Sequence, residues 1–232
     1  MVDAPPLLRI EGVRKTYGKK VLTVALRGVD LALDPGEFCA LTGPSGCGKT
    51  TLLNIVGLLD RPSEGRVLLA GSDTGPMDDD QRTRLRSETL GFIFQFHHLL
   101  LAFTALENVM MPLLARHGRR KAWMRDAARD LLVSVGLEDR VNYRSGDLSG
   151  GQQQRVAVAR ALVMNPALVL ADEPTGNLDT ESGERVFDAL RQVSAQRGTA
   201  FLIVTHDPGI AARCGRVVHM IDGRIDSDTR TR

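Results

Sequence analysis

Short apolar stretches recur at both ends of the chain, and the middle third follows a helical period. LLRIEGV (7–13), VALRGVDLAL (24–33), EFCALT (37–42) and RVLLAG (66–71) alternate or run apolar and predict strands; the last lies between PSEG and SDTGP, both turn-forming. From 104 to 164 the apolar spacing predicts helices, in TALENVMMPLL, KAWMRDAARDLLVSVG and the run over 149–164. Beyond 165 the two kinds alternate: ALVLA (167–171), a helix near 180–197, AFLIVT (200–205), then RVVHMIDGRI as a hairpin turning at Asp222–Gly223. Residues 1–6 and the tail DSDTRTR (226–232) are proline-rich or polar with nothing to bury, which predicts fraying at both ends. The fold class expected is an α/β core split by a mostly helical insert over about 96–164.

Each apolar strand of the core runs into a polar residue. EFCALT leads into GPSGCGKT, GFIF into Gln95, ALVLA into Asp172–Glu173, and AFLIVT into His206. Ligands of open parallel α/β sheets bind at the carboxyl ends of the strands, so these four junctions predict one active site along one sheet edge. GPSGCGKT (43–50) matches the phosphate-loop pattern with a strand before it and the helical TTLLNIVGLL after it. Gly43, Gly46 and Gly48 would let the backbone wrap a β-phosphate, Lys49 would bridge the β- and γ-phosphates, and the Thr50 hydroxyl would hold Mg²⁺. The run Gly43, Pro44, Ser45, Gly46, Cys47, Gly48, Lys49, Thr50 and Thr51 is therefore assigned to nucleotide binding.

Asp172 is expected to hold Mg²⁺ through water, with Glu173 as general base for an attacking water. His206, where AFLIVT ends, is expected to contact the γ-phosphate. Gln95 could orient water or a Mg²⁺ ligand, although exposed glutamines commonly do neither. Tyr17 in VRKTYGKK could stack on adenine or simply pack on the core. A second anion site is suggested by DLSGGQQQRVAVARAL (147–162), where glycines open a helix whose unpaired N–H groups and dipole point outward. The same SGG turn would also serve as an ordinary helix cap.

Composition narrows the partners. The 232 residues are 43% apolar and 25% charged, as in an ordinary globular protein that buries a substantial core. Thirty basic against twenty-eight acidic residues leave +2, so no nucleic-acid partner is expected, and the basic run at 116–129 reads as a solvated helix face. Cys39, Cys47 and Cys214 are odd in number and lack CxxC spacing, which argues against a disulfide framework or zinc site and for a reducing compartment. His97–His98 has no carboxylate or thiol at ligand spacing nearby. No secretory signal is visible, and the longest apolar run, LLNIVGLL (52–59), falls far short of the ~18 residues of a membrane span. The chain is expected in the cytosol unless another protein carries it to a membrane.

GPSGCGKT, Gln95, LSGGQ (148–152), LVLADEP (168–174), NLD (177–179) and His206 stand in the order and approximate spacing of ABC-transporter nucleotide-binding subunits, which the chain resembles over nearly its whole length. QFHHLL (95–100), the following FTALENVMMPLL and LADEPTGNLD resemble the lipoprotein-releasing group, near relatives of macrolide-exporter and cell-division ATPases. Leu101, where that group is expected to carry proline, and QQQR, where a charged residue is common, depart from it.

The resemblance implies a P-loop NTPase core of mainly parallel sheet with an N-terminal antiparallel β part, and one domain over 1–232. Its core would cover about 1–95 and 165–232, and its helical subdomain 96–164. It implies an ATP- and Mg²⁺-dependent motor that pairs head to tail with a second copy, so that Ser149, Gly150, Gly151 and Gln152 complete the partner's γ-phosphate site. It gives Tyr17 to the adenine, Gln95 to Mg²⁺ and the water, and Asp179 to contacts across the dimer. Integral membrane subunits would dock near Phe96–Phe103, on a groove lined by Phe96, Leu99, Leu100 and Leu101, at the cytoplasmic face of a bacterial inner membrane. The cargo process implied is lipoprotein release; a macrolide-type exporter, a cell-division complex or a soluble ATPase acting on nucleic acid or ribosomes are the alternatives.

Overall fold

The computed structural model describes residues 5–18 and 20–230, so the expectation of fraying at 1–4 and 231–232 lies outside the described residues. The first half begins with β1 (Leu8–Tyr17), β2 (Thr23–Leu33), β3 (Phe38–Thr42) and helix α1 (Lys49–Val56). It continues with β4 (Glu64–Leu69), β5 (Ser72–Asp73), α2 (Asp79–Thr89) and β6 (Leu90–Ile93). Three helices follow, α3 (Ala105–His117), α4 (Ala122–Ser134) and α5 (Gly150–Leu162). The chain ends with β7 (Leu168–Asp172), α6 (Thr180–Arg197), β8 (Ala200–Val204), α7 (Pro208–Ala212), β9 (Arg216–Ile221) and β10 (Arg224–Arg230).

Two sheets result. Four antiparallel strands follow the order β2-β1-β4-β5, and six follow β10-β9-β3-β8-β7-β6. Every pairing in the larger sheet is parallel except β9 with β10 at its edge. Its central strands are buried on both faces, which is why they read as unbroken apolar runs. Alternate residues feed two cores. Leu41, Leu170 and Leu202 face the small sheet and α1, packing with Ile10, Val29 and Leu52. Ala40, Val169 and Phe201 face the other way, toward Phe187 of α6 and the helical region carrying Val109, Leu132 and Val158.

The hairpin anticipated at Asp222–Gly223 forms, with φ of 47° and 76° at its two central residues, as a tight I′ turn requires. Helix α2 escaped the pattern reading because only Arg82 and Thr89 of its eleven residues are buried, so no apolar stripe marks it. Its start is fixed instead by a reciprocal capping box between Asp78 and Gln81.

The expected fraying of the C-terminal tail is overturned for residues 226–230, which form most of β10. The reason is charge rather than apolar burial. Arg216 of β9 is buried and donates to Asp228 (2.5 and 2.7 Å), to both oxygens of Glu37 (3.1 Å) and to the Ala32 carbonyl (2.8 Å). A buried guanidinium without carboxylates costs several kcal/mol, so the polar tail is held by the cation it neutralises. Arg230 adds a more exposed bond to Asp34.

Asp228→Asn should lower the unfolding free energy by about 1–2 kcal/mol. That is less than a fully buried pair would cost, because Asp228 is partly solvated and Glu37 remains. The Arg216 guanidinium holds the Asp228 carboxyl below the usual aspartate range, against the upward push of its partial burial. The pair's contribution is therefore complete above that range and lost as the pH falls through the lowered folded value. Denaturant titrations at neutral pH and near pH 3 should show the wild-type advantage over the variant shrinking at the acidic end.

Candidate functional site

Parallel register sets the geometry of the site. Leu41 pairs with Val204, and Val204 with Asp172, while Ile93 pairs with Ala171 one residue earlier. The turns that follow β3, β6, β7 and β8 therefore emerge side by side. They bring the phosphate loop, Gln95, Asp172–Glu173 and His206 to one edge, as the strand-end reading predicted.

The loop between β3 and α1 is shaped by glycines that no other residue could replace. Gly43 has φ 141° and Gly48 φ 105°. A Cβ on Gly43 would lie 2.1 Å from the Met220 carbonyl oxygen, and one on Gly48 2.6 Å from that of Ala25. The C-terminal hairpin closes over the loop, with the Gly223 N–H donating to the Cys47 carbonyl (2.9 Å) and the Arg27 N–H to that of Gly223 (2.8 Å). Lys49 Nζ donates to the carbonyls of Gly43 (2.7 Å) and Pro44 (2.9 Å), so the ammonium sits over the loop mouth. Lys49 opens α1, and Thr50 and Thr51 follow it in the first turn.

Asp172 is half-buried at the end of β7. Burial pushes its carboxyl above the usual range, neighbouring Glu173 pushes the same way, and Lys49 opposes both. Glu173 carries φ 46°, a left-handed conformation costly for a side chain with a Cβ, and its N–H donates to the Val204 carbonyl (2.9 Å). This strained turn directs the carboxylate at His206 in the turn after β8, where Oε1 and Nδ1 share a 2.7 Å hydrogen bond. The carboxylate is 16% exposed and the imidazole 71%, so the pair has a sheltered end and an open end.

Gln95 and Asn177 are locked reciprocally. Gln95 Nε2 donates to Asn177 Oδ1, and Asn177 Nδ2 donates to the Gln95 carbonyl, both at 3.2 Å. Gly176 lies between Gln95 and Glu173, each 3.3 Å from where its Cβ would be. The Gln154 amide of α5 donates to the Pro174 carbonyl (2.7 Å) and more weakly to that of Phe94 (3.4 Å), while Arg160 donates to the carbonyls of His97 (2.8 Å) and His98 (2.7 Å). A helix remote from the sheet edge thus grips both segments that carry the site.

Tyr17 stands at the end of β1 and is 40% exposed, so it is not packed into the core. Its hydroxyl donates to Asp60 (2.8 Å), which also accepts from Lys15 (2.6 Å), and the Lys15 ammonium lies 4.8 Å from the ring centre. Partial burial and the Asp60 carboxylate raise the phenol's pKa above its ordinary value, so the hydroxyl stays protonated as a donor. Asp60, Lys15 and Asn177 were not singled out from the sequence. Asp60 is 43 residues from Tyr17 and carries no local pattern, whereas Asn177 lay in view within NLD.

The SGG turn sits elsewhere. Ser149 caps α5, accepting from the Gln152 N–H (3.3 Å), and Gln152 returns the bond to the Ser149 N–H (3.0 Å). Gly151 packs so close to α6 that a Cβ would lie 2.8 Å from that of Ser182. Asp179 caps α6 through the Ser182 N–H (2.9 Å), which holds its carboxyl below the usual range. Ser149, Gly151, Gln152, Arg155, Ser182 and Arg185 line a small polar cleft that shares no residue with the phosphate loop, Gln95 or Asp172–Glu173.

The segment after Gln95 departs in part from its expected groove. Phe96, Leu100, Leu101 and Phe103 are exposed, but Leu99 turns inward and packs against the helical core. The concave surface nearby is instead a mainly apolar groove of about 330 Å³, lined by Leu90, Phe92, Phe94, Pro112 and Met164 with Arg86 and Arg160. No helix among the described residues is long and apolar enough to cross a membrane.

Known proteins resemble this chain over nearly its whole length. Residues 26–176 match the ABC transporter family. The chain is 57% identical over 226 residues to the lipoprotein-releasing system ATP-binding protein LolD of Anaeromyxobacter dehalogenans, covering 97% of this chain and 95% of that protein. It is 55% identical to LolD 1 of Rhodopseudomonas palustris over 94% of this chain and 98% of that one. Among solved structures, the dimeric ATP-binding cassette MJ0796, bound to ADP and Pi after hydrolysis, superposes with a TM-score of 0.88. It is 39% identical over 97% of this chain and 99% of that one. The polypeptide belongs to the ABC transporter family as one of its ATP-hydrolysing cassettes.

Proposed function

We propose that this cassette powers lipoprotein release from the bacterial inner membrane toward the outer membrane. It would work as an ATP-dependent head-to-tail dimer bound to integral membrane subunits at the cytoplasmic face. One observation carries the reading. Lys49, Gln95, Asp172 and the Glu173–His206 pair converge on one sheet edge, whereas the SGG helix start faces a separate cleft. The first group is one half of an ATP pocket, and the second is the complementary half offered to another copy. The resemblance to the lipoprotein-releasing relatives supports the cargo process.

In this mechanism the phosphate-loop N–H groups and Lys49 hold the β- and γ-phosphates, and Tyr17, steadied by Asp60, supports the adenine. Thr50, Asp172 and Gln95 suit Mg²⁺, being oxygen donors beside a phosphate site. When bound, the ion neutralises charge on the phosphate oxygens. Glu173 accepts a proton from water as the water oxygen attacks the γ-phosphorus. The bond to the β–γ bridging oxygen breaks, giving ADP and phosphate. His206 keeps the Glu173 carboxylate aimed and offers its exposed edge to the γ-phosphate. Gln95 orients the water.

Ser149, Gly150, Gly151 and Gln152 of a second copy meet the same γ-phosphate, with Asp179 beside the seam. ATP therefore binds the closed dimer far better than the open one, and loss of the γ-phosphate reopens it. The apolar groove beside Phe94 and the exposed Phe96, Leu100 and Leu101 receive the membrane partner, so changes at Gln95 are felt where it docks.

Glu173→Gln should bind ATP normally, lower turnover about 10²–10⁴-fold and accumulate closed dimers. Size-exclusion chromatography with ATP, paired with a phosphate-release assay, checks this; unimpaired release would remove the base assignment. Lys49→Ala should weaken nucleotide binding by about 2–4 kcal/mol, as expected for loss of a sheltered charge partner. A fluorescent-nucleotide titration reads that loss as a shift of roughly 30- to 1000-fold in Kd.

A further inference from the structure

The QQR (153–155) that follows LSGGQ carries a side chain that neither half of the ATP pocket accounts for. Gln154 is 1% exposed. It lies on α5, one turn beyond the Ser149 cap, and its amide nitrogen is directed back toward the sheet edge. There it donates to the Pro174 carbonyl, directly after Glu173, at 2.7 Å, and toward the Phe94 carbonyl, directly before Gln95, at 3.4 Å. One NH₂ group thus spans the two segments that carry the base and the water-orienting amide.

Six residues along the same helix, about 9 Å further on, Arg160 fixes the carbonyls of His97 and His98 on the far side of Gln95. The Gln95 loop is therefore held at both ends by α5. The Glu173 segment, which folds over Gly176 toward Gln95, is bonded to α5 through Gln154.

We propose that Gln154 is a positioning residue that makes Glu173 and Gln95 respond to the position of α5, and thereby couples the two ATP pockets of a dimer. The inference rests on the two-pocket reading above. The N-terminus of α5 meets the partner's nucleotide, so closure at one pocket moves the helix whose Gln154 sets the base and the water in the other. A buried amide suits the task. Its bonds are short-ranged and directional, and the site is dry enough that losing them is not made good by solvent.

The test compares wild type with Gln154→Leu, which keeps the volume and removes both donors, with Gln95→Ala, and with the double variant. Steady-state ATPase kinetics are measured alongside fluorescent-nucleotide binding. Wild-type turnover must first be present; its absence would count against the ATPase mechanism rather than this inference. Gln154→Leu should bind nucleotide within about twofold of wild type and lose about 10–100-fold in kcat; the wild-type rate should rise sigmoidally with ATP and the variant's hyperbolically. The double variant should be little slower than Gln95→Ala alone, because both changes disturb one unit.

A merely structural glutamine would lower thermal stability while leaving kcat and the ATP dependence at 25 °C intact, and that result would overturn the proposal. Independent, additive losses in the double variant would overturn it too. If Gln154→Leu is insoluble, Gln154→Asn keeps the amide but is one methylene short of both carbonyls, and the same kinetic outcomes decide.

Discussion

Parallel pairing of β3, β8, β7 and β6 is the constraint on which the chemistry depends. Each of these strands is buried on both faces, so a register slip of one residue would exchange the side chains feeding the two cores. The row through Leu41, Val204 and Asp172 is thereby fixed by apolar packing, not by the polar groups that follow it. The loops inherit that precision. Lys49, Asp172, Glu173, His206 and Gln95 are close together because the strands beneath them cannot shift, which supplies much of the preorganisation that phosphoryl transfer requires.

Polar contacts refine what packing sets. Glu173 sits in a left-handed turn, and the Val204 carbonyl and His206 hold it there, so the strain stays local and keeps the carboxylate aimed. Asp172, one residue earlier, has its carboxyl pushed up by burial and by that neighbour, while Lys49 pulls it down. That cation is itself held over the phosphate-loop mouth by the Gly43 and Pro44 carbonyls.

The C-terminal hairpin joins regions far apart in sequence. Its turn touches the phosphate loop through Gly223 and Cys47 and the small sheet through Arg27. Its strands are held by Arg216 between Glu37 and Asp228. On the opposite side, α5 reaches the site through Gln154 and Arg160. The nucleotide loops are consequently clasped from both flanks, by a rigid hairpin and by a helix that also carries the SGG turn. The two flanks differ in what else they touch: the hairpin meets the small sheet, and the helix begins at the SGG turn.

The sequence by itself determined the strand ends and the polar residues gathered there, because an apolar run followed by GPSGCGKT or DEP is local, periodic and specific in spacing. It also determined the hairpin at Asp222–Gly223, where two residues suffice for a turn. Helix α2 was not legible, since its residues face solvent and leave no apolar stripe. The order of the tail, the inward turn of Leu99, the Asp60 anchor of Tyr17 and the reach of Gln154 were decided only by the tertiary structure. Each depends on a partner brought near by folding rather than by sequence. A lone polar side chain has no period, so nothing in the chain's own pattern states which carbonyl or charge will meet it.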